Sequence, residues 1–178
     1  MRQCRHARNS FVLKFTVLLS TISFMIAATA RAANVEVGKG PFFLPSGPAT
    51  KIVTVSRTGE AQASITVLTE AVAVKETGPR ATIKKFGEVY AFSPAFFTVH
   101  REQPTQIEFW NLQPDDEHDF ALVAPDLTVL MYVKLPPLSK TSYIFTFHRE
   151  GEIDFKCLRH QPEMSGQILV LPPVKQGA

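Results

Sequence analysis

From residue 80 onward the chain is written in short runs of alternating apolar and polar residues, each closed by Pro, Gly, Asp or Asn. An alternation of period two sends successive side chains to opposite faces of an extended backbone, and frequent turn residues limit each strand to the length used in a sandwich. The pattern predicts strands over 82–92, 96–99, 105–111, 119–124, 129–134, 142–148, 152–157 and 167–171, with no helical period of any length among them.

Upstream, 51–57 and 64–75 also read as strands. The second contains Glu70, Ala71 and Ala73, which tolerate helix, but Ile65, Thr66, Val67, Thr69, Val72 and Val74 are β-branched and favour an extended backbone. Thr58-Gly59-Glu60 between them has the look of a hairpin turn, and 34–46 is a Gly- and Pro-rich arm whose bulky apolar residues are Phe42, Phe43 and Leu44. Thr77-Gly78-Pro79 punctuates the chain. The expected organisation is therefore an N-terminal β extension over 33–79, read as a hairpin, then a sandwich domain over 80–173 and a tail over 174–178. An apolar hairpin left uncovered would be an aggregation edge, so it must join the sandwich or dock on a second subunit, which makes an oligomer through the extension one expectation.

Residues 1–32 have the pattern of a secretory signal. Arg2, Arg5, Arg8 and Lys14 precede or enter an apolar run through Val17, Leu18, Leu19, Ile22, Phe24, Met25 and Ile26, which ends in Ala28-Thr29-Ala30-Arg31-Ala32. The run is interrupted by Ser20, Thr21 and Ser23 and is short for a span of about 20 apolar residues, so cleavage is expected rather than an anchor, with no membrane attachment afterwards. Removing the leader takes five of the 19 basic residues and none of the 16 acidic ones, leaving 14 against 16 and reversing the net charge from +3 to −2. The basic balance that would favour nucleic acid therefore belongs mostly to the leader, and no nucleic-acid partner is expected. The expected location is the periplasm.

The chemistry gathers in Cys157-Leu158-Arg159-His160-Gln161-Pro162-Glu163-Met164, a loop between two strand-like segments. A thiolate, an imidazole and a thioether are the donors of an electron-transfer copper centre that lacks a second imidazole, for which His118 is the candidate. In 152–157 the positions Ile153, Phe155 and Cys157 alternate with Glu152, Asp154 and Lys156, so strand geometry turns the thiol inward; His118, Phe120 and Leu122 likewise share one face. A buried Cys acting as a small hydrophobe is the plain alternative. It does not account for the gathering of His118, His160 and Met164 around the sole cysteine beyond the leader. With a single cysteine the exported chain can form no internal disulfide, and coordination protects a thiol from oxidants.

With these residues in view, the run from Glu88 to Pro172 resembles the cupredoxins, the small blue copper proteins of the plastocyanin, pseudoazurin and azurin kind. The resemblance is carried by Val89-Tyr90-Ala91-Phe92-Ser93-Pro94, by Ile107-Glu108-Phe109-Trp110-Asn111, by His118-Asp119-Phe120, and by the 157–164 loop with Gly166 and Ile168-Leu169-Val170 after it. It implies an all-β, cupredoxin-like Greek-key β-sandwich in which His118, Cys157, His160 and Met164 hold one copper ion cycling between Cu(I) and Cu(II). The Cys-to-His gap is as in plastocyanin and the His-to-Met gap as in azurin. The implied activity is transfer of single electrons between transient redox protein partners, without enzymatic turnover, the electron leaving at His160.

Two departures from the pattern bear on the site. Asp119 stands where related proteins often have Asn, and is expected to orient His118 or a loop from the outer shell. Glu117 and Glu163 flank the candidates, and either carboxylate in place of Met164 would give a red copper site of the nitrosocyanin type with an open position. Periplasmic copper binding and delivery through the same loop is a further alternative. His100 and His148, each beside an Arg, read as solvated; Met131 reads as core; Asp115-Asp116-Glu117 reads as an exposed acidic turn. No Ser–His nucleophile arrangement or Gly-rich phosphate loop is present.

Overall fold

A computed structural model describes residues 40–160 and 164–175. The leader expected over 1–32 lies outside the described residues. The described residues belong to one compact unit. In chain order the elements are β1 (Phe42–Phe43), a 3-10 turn (Gly47–Lys51), β2 (Val53–Ser56), β3 (Ala63–Ala73), α1 (Arg80–Phe86), β4 (Val89–Ser93), β5 (Phe96–His100), β6 (Thr105–Asn111), β7 (His118–Val123), β8 (Val129–Leu135), β9 (Ser139–Phe147), β10 (Gly151–Lys156) and β11 (Ser165–Leu171). One sheet runs β1-β8-β7-β10-β11-β5 and the other β2-β9-β6-β3-β4. The all-β sandwich of two sheets expected from the sequence is the architecture the chain adopts. Among the described residues no helix is long and apolar enough to cross a membrane.

Two local expectations are corrected. The hairpin across Thr58-Gly59-Glu60 is not formed: β2 pairs with β9, while β3 pairs antiparallel with β4 and parallel with β6. Val53 and Val67 are both fully buried, so the two strands gain cover by entering the sheet at separate places, with β9 and β6 between them. The strand expected over 82–92 begins only at Val89, because residues 80–86 are helical. Pro79 opens that helix by accepting from the Thr82 and Ile83 N–H groups, and Gly87, at φ 81°, closes it with its N–H on the Ile83 carbonyl.

The core between the sheets is built from phenylalanines. Phe120 on β7 meets Phe109 at 4.5 Å and Phe92 at 6.0 Å from the facing sheet, and Phe155 on the neighbouring β10 at 5.1 Å. These rings are fully or almost fully buried, and each such side chain stabilises the fold by about 1.5–3 kcal/mol. Gly166 is required beside them: a Cβ there would lie 2.1 Å from the Ala95 carbonyl oxygen and 2.4 Å from the Phe155 ring. β11 thereby approaches close enough to pair with β10, Phe155 opposite Gly166.

Candidate metal centre

Antiparallel pairing of β7 with β10 brings the start of one strand beside the end of the other, with Ala121 opposite Lys156. His118 is the first residue of β7 and Cys157 follows β10 directly. His118 thus lies two residues before the core Phe120 and Cys157 two residues after the core Phe155, each on the same face of its strand as that ring. The inward register of Ile153, Phe155 and Cys157 is as expected, all three being buried. β7 differs in being buried on both faces, Asp119 and Ala121 included, although alternation would let its second face meet water. After Cys157 the chain folds back on itself. The Cys157 N–H donates to the Met164 carbonyl at 2.9 Å and the Met164 N–H to the His160 carbonyl at 3.0 Å, closing a tight loop with His160 inside it.

Three of the four expected ligands converge. Donor atoms of His118, Cys157 and His160 all lie within 4.8 Å of one another. The two Nδ1 atoms are 3.1 Å apart and the Cys157 Sγ is 3.5 Å from the His160 Nδ1. A single ion with bonds of about 2.0 Å to nitrogen and about 2.3 Å to sulfur bridges such spacings. Two imidazole nitrogens and a sulfur make a donor set that fits copper. Met164 is fully buried and is joined to Cys157 and His160 through the two backbone bonds of the loop.

The electrostatics prepare neutral donors. Burial lowers the His118 imidazole to about 4, with the neighbouring His160 adding to the effect, and burial lowers His160 as well. Both rings are therefore neutral at physiological pH and can offer lone pairs. Burial and then the charge of Asp119 raise the Cys157 thiol, so a bound cation is needed to hold it as thiolate. The Nε2 of His118 is buried with no hydrogen-bond partner among the described residues.

Of its two expected partners, His118 or a loop, Asp119 meets the loop. Its Oδ1 accepts the Leu158 N–H at 2.7 Å, tying the ligand loop to β7 beside His118, and its side chain is 1% exposed. Burial pushes this carboxyl up to about 6 against the pull of the Leu158 N–H and Arg159. Glu117, an alternative fourth ligand, is engaged elsewhere: its Oε1 accepts from Arg159 Nη2 at 2.6 Å and lies 3.3 Å from Lys134 Nζ. Those ion pairs draw the carboxylate to the surface between loop and strand. Glu163 lies outside the described residues.

Sequence reasoning missed a second group of residues. Tyr90 is 2% exposed and its ring centroid lies 4.9 Å from that of His118 and 4.6 Å from that of His160. Its hydroxyl donates to Asp116 Oδ2. Asp116 is therefore no solvated turn residue, in contrast to the expectation for 115–117. Asn111 holds the same loop from below: its Nδ2 donates to the carbonyls of Asp116 at 2.8 Å and Leu135 at 2.9 Å, and its Oδ1 accepts from Thr69 Oγ1 and the Gln113 N–H. A polar residue closing a strand of buried alternation, Asn111 after Phe109, was the one signal available. His100 and His148 stand apart from the centre, bonded to the Pro172 carbonyl and to Glu102 and Thr54, and Met131 is core, as expected.

No protein-family model matches the sequence, and no curated protein matches it. Among solved structures the chain is similar to auracyanin B, with 14% identity, a TM-score of 0.48, and coverage of 68% of this chain and 99% of that one. It is similar also to the dithionite-reduced auracyanin of Roseiflexus castenholzii, with 16% identity, a TM-score of 0.46, and coverage of 64% and 100%. The copper nitrite reductase of Nitrosomonas europaea matches with 10% identity, a TM-score of 0.49, and coverage of 64% of this chain and 50% of that one.

Proposed function

We propose that this chain is a single-copper electron carrier in which His118, Cys157 and His160 are the strong ligands and Met164 the weak fourth contact. The observation that carries the reading is the convergence of two imidazole Nδ1 atoms and one thiol within 4.8 Å at one end of the sandwich. Copper held there supplies a one-electron couple. The chain's contribution is to keep the donors still: His118 and Cys157 are fixed by strands packed on Phe120 and Phe155, and the loop is tied down by Asp119 and its own backbone bonds. A site with little freedom to rearrange suits both oxidation states.

His160 is half-buried where the other two donors are buried, which makes its edge the exit toward a docked partner. Contacts with such partners are small and transient. The diversion of Glu117 into ion pairs favours the thioether over that carboxylate. Export to the periplasm after removal of 1–32 is part of the proposal and rests on the leader pattern alone.

Copper-loaded protein is expected to show an intense visible thiolate-to-copper band and reversible voltammetry, and Cys157→Ser to abolish the band. A band that survives Cys157→Ser overturns the ligand assignment. Irreversible voltammetry with loss of metal on reduction replaces the carrier with a copper-delivery protein.

A further inference from the structure

The ring of Tyr90 touches both imidazoles at once, with an interplanar angle of 65° to His118 and 49° to His160, while those two rings lie 4.8 Å apart. Three rings in mutual contact leave no room for a small molecule between them, and Tyr90 is almost fully buried. A phenylalanine would fill the same space. A tyrosine there needs a partner for its hydroxyl, and Asp116 provides it. Asp116 lies two residues before His118, and its carbonyl is gripped by Asn111, whose amide also holds Leu135. The ring therefore cannot swing outward without breaking a bond to a loop that is itself fixed from the far side.

We propose that Tyr90, anchored through Asp116, is the positioning residue that sets both imidazoles and walls the metal centre off from small exogenous ligands such as azide. The wall confines the centre to electron transfer through its own ligands and denies it the open position that a small-molecule reaction requires. The azide consequence rests on the copper reading of the site; the shielding of His118 does not.

The test has two arms that separate those claims. In the first, azide is titrated into copper-loaded protein and the visible spectrum followed. The parent chain is expected to be silent, and Tyr90→Ala to develop a saturable new charge-transfer band. In the second, metal-free protein is treated with diethyl pyrocarbonate and modification of His118 followed by mass spectrometry. Tyr90→Ala is expected to accelerate it about tenfold or more, since local opening governs the reactivity of a buried group. Tyr90→Phe and Asp116→Ala, which keep the ring but remove its anchor, are expected to accelerate it about threefold each, and the double variant no further, because both remove the same bond.

A folded Tyr90→Ala protein that is silent to azide and leaves His118 as protected as in the parent overturns the proposal, as does a parent chain that already binds azide. Should Tyr90→Ala fail to fold, parent-like protection in both Tyr90→Phe and Asp116→Ala overturns it. If the parent shows no thiolate band with copper, the copper reading falls, and the protection of His118 still decides the wall.

Discussion

The described residues carry four histidines, and they divide into two pairs that differ in what their ring nitrogens face. His100 Nδ1 sits 2.6 Å from the Pro172 carbonyl, and His148 has Glu102 Oε2 2.9 Å from Nδ1 and Thr54 Oγ1 3.1 Å from Nε2. These nitrogens are spent: one facing a carbonyl must carry a proton, and a protonated nitrogen has no lone pair for a metal. His118 and His160 instead turn their Nδ1 atoms toward each other and toward Cys157. Burial keeps both rings neutral, so each has one nitrogen able to offer a lone pair, and the two Nδ1 atoms lie together beside the Cys157 sulfur. Residue type does not separate the pairs. The partner of each nitrogen does.

The strongest way to break this division is to remove a proposed ligand and a histidine outside the centre in parallel. His118→Ala is expected to lower copper affinity by more than the roughly 100-fold that loss of an outer-shell partner costs. His148→Ala should leave it unchanged, as Glu102 and Thr54 hold that ring far from the centre. Competition titration against a chelator measures both. An equal loss in the two variants would mean that the histidines act through stability and not through coordination.

Asp119 comes next in expected effect. Asp119→Ala strands the half-buried Leu158 N–H that its Oδ1 accepts at 2.7 Å, and loss of that partner costs at most about 1–3 kcal/mol, readable in urea unfolding of the metal-free protein. Copper affinity is expected to fall about 10- to 100-fold with it, because the ligand loop loses its tie to β7. Asp119→Asn keeps an acceptor at the same place and should recover most of both losses. If Asn fares no better than Ala, the charge of Asp119 and not its hydrogen bond is what matters.

The order of these effects also marks what could be read without a structure. The inward turn of His118 and Cys157 was legible because a strand alternation of period two fixes which side chains face the core, and 152–157 shows that alternation without a break; His160 stood out by its spacing from Cys157 on the loop. Asp119 was legible from its place beside His118. The parallel pairing of β3 with β6, Ile65 opposite Ile107, was not, since no local pattern encodes a partner forty residues away. A helix of seven residues bounded by Pro79 and Gly87 is too short to display a period. Tyr90 reads as one more apolar strand position, and only the fold reveals that its neighbours are both imidazoles.

The finest comparison is between two carboxylates. Glu102 bonds His148 directly, whereas Glu117, next to His118 in the chain, bonds Arg159 at 2.6 Å and lies 3.3 Å from Lys134. The first sets the proton of a ring; the second pins the ligand loop from outside through Arg159. All three members of that cluster are partly exposed, and such pairs contribute about 0–1 kcal/mol, less at high salt. Glu117→Gln should therefore leave the visible copper band in place and hasten copper loss to a chelator by no more than about fivefold, the rate equivalent of 1 kcal/mol, with the difference shrinking as salt is added. A shifted or lost band in this variant would make Glu117 itself a ligand, and the partition of the centre into a buried donor set and an outer electrostatic latch would have to be redrawn.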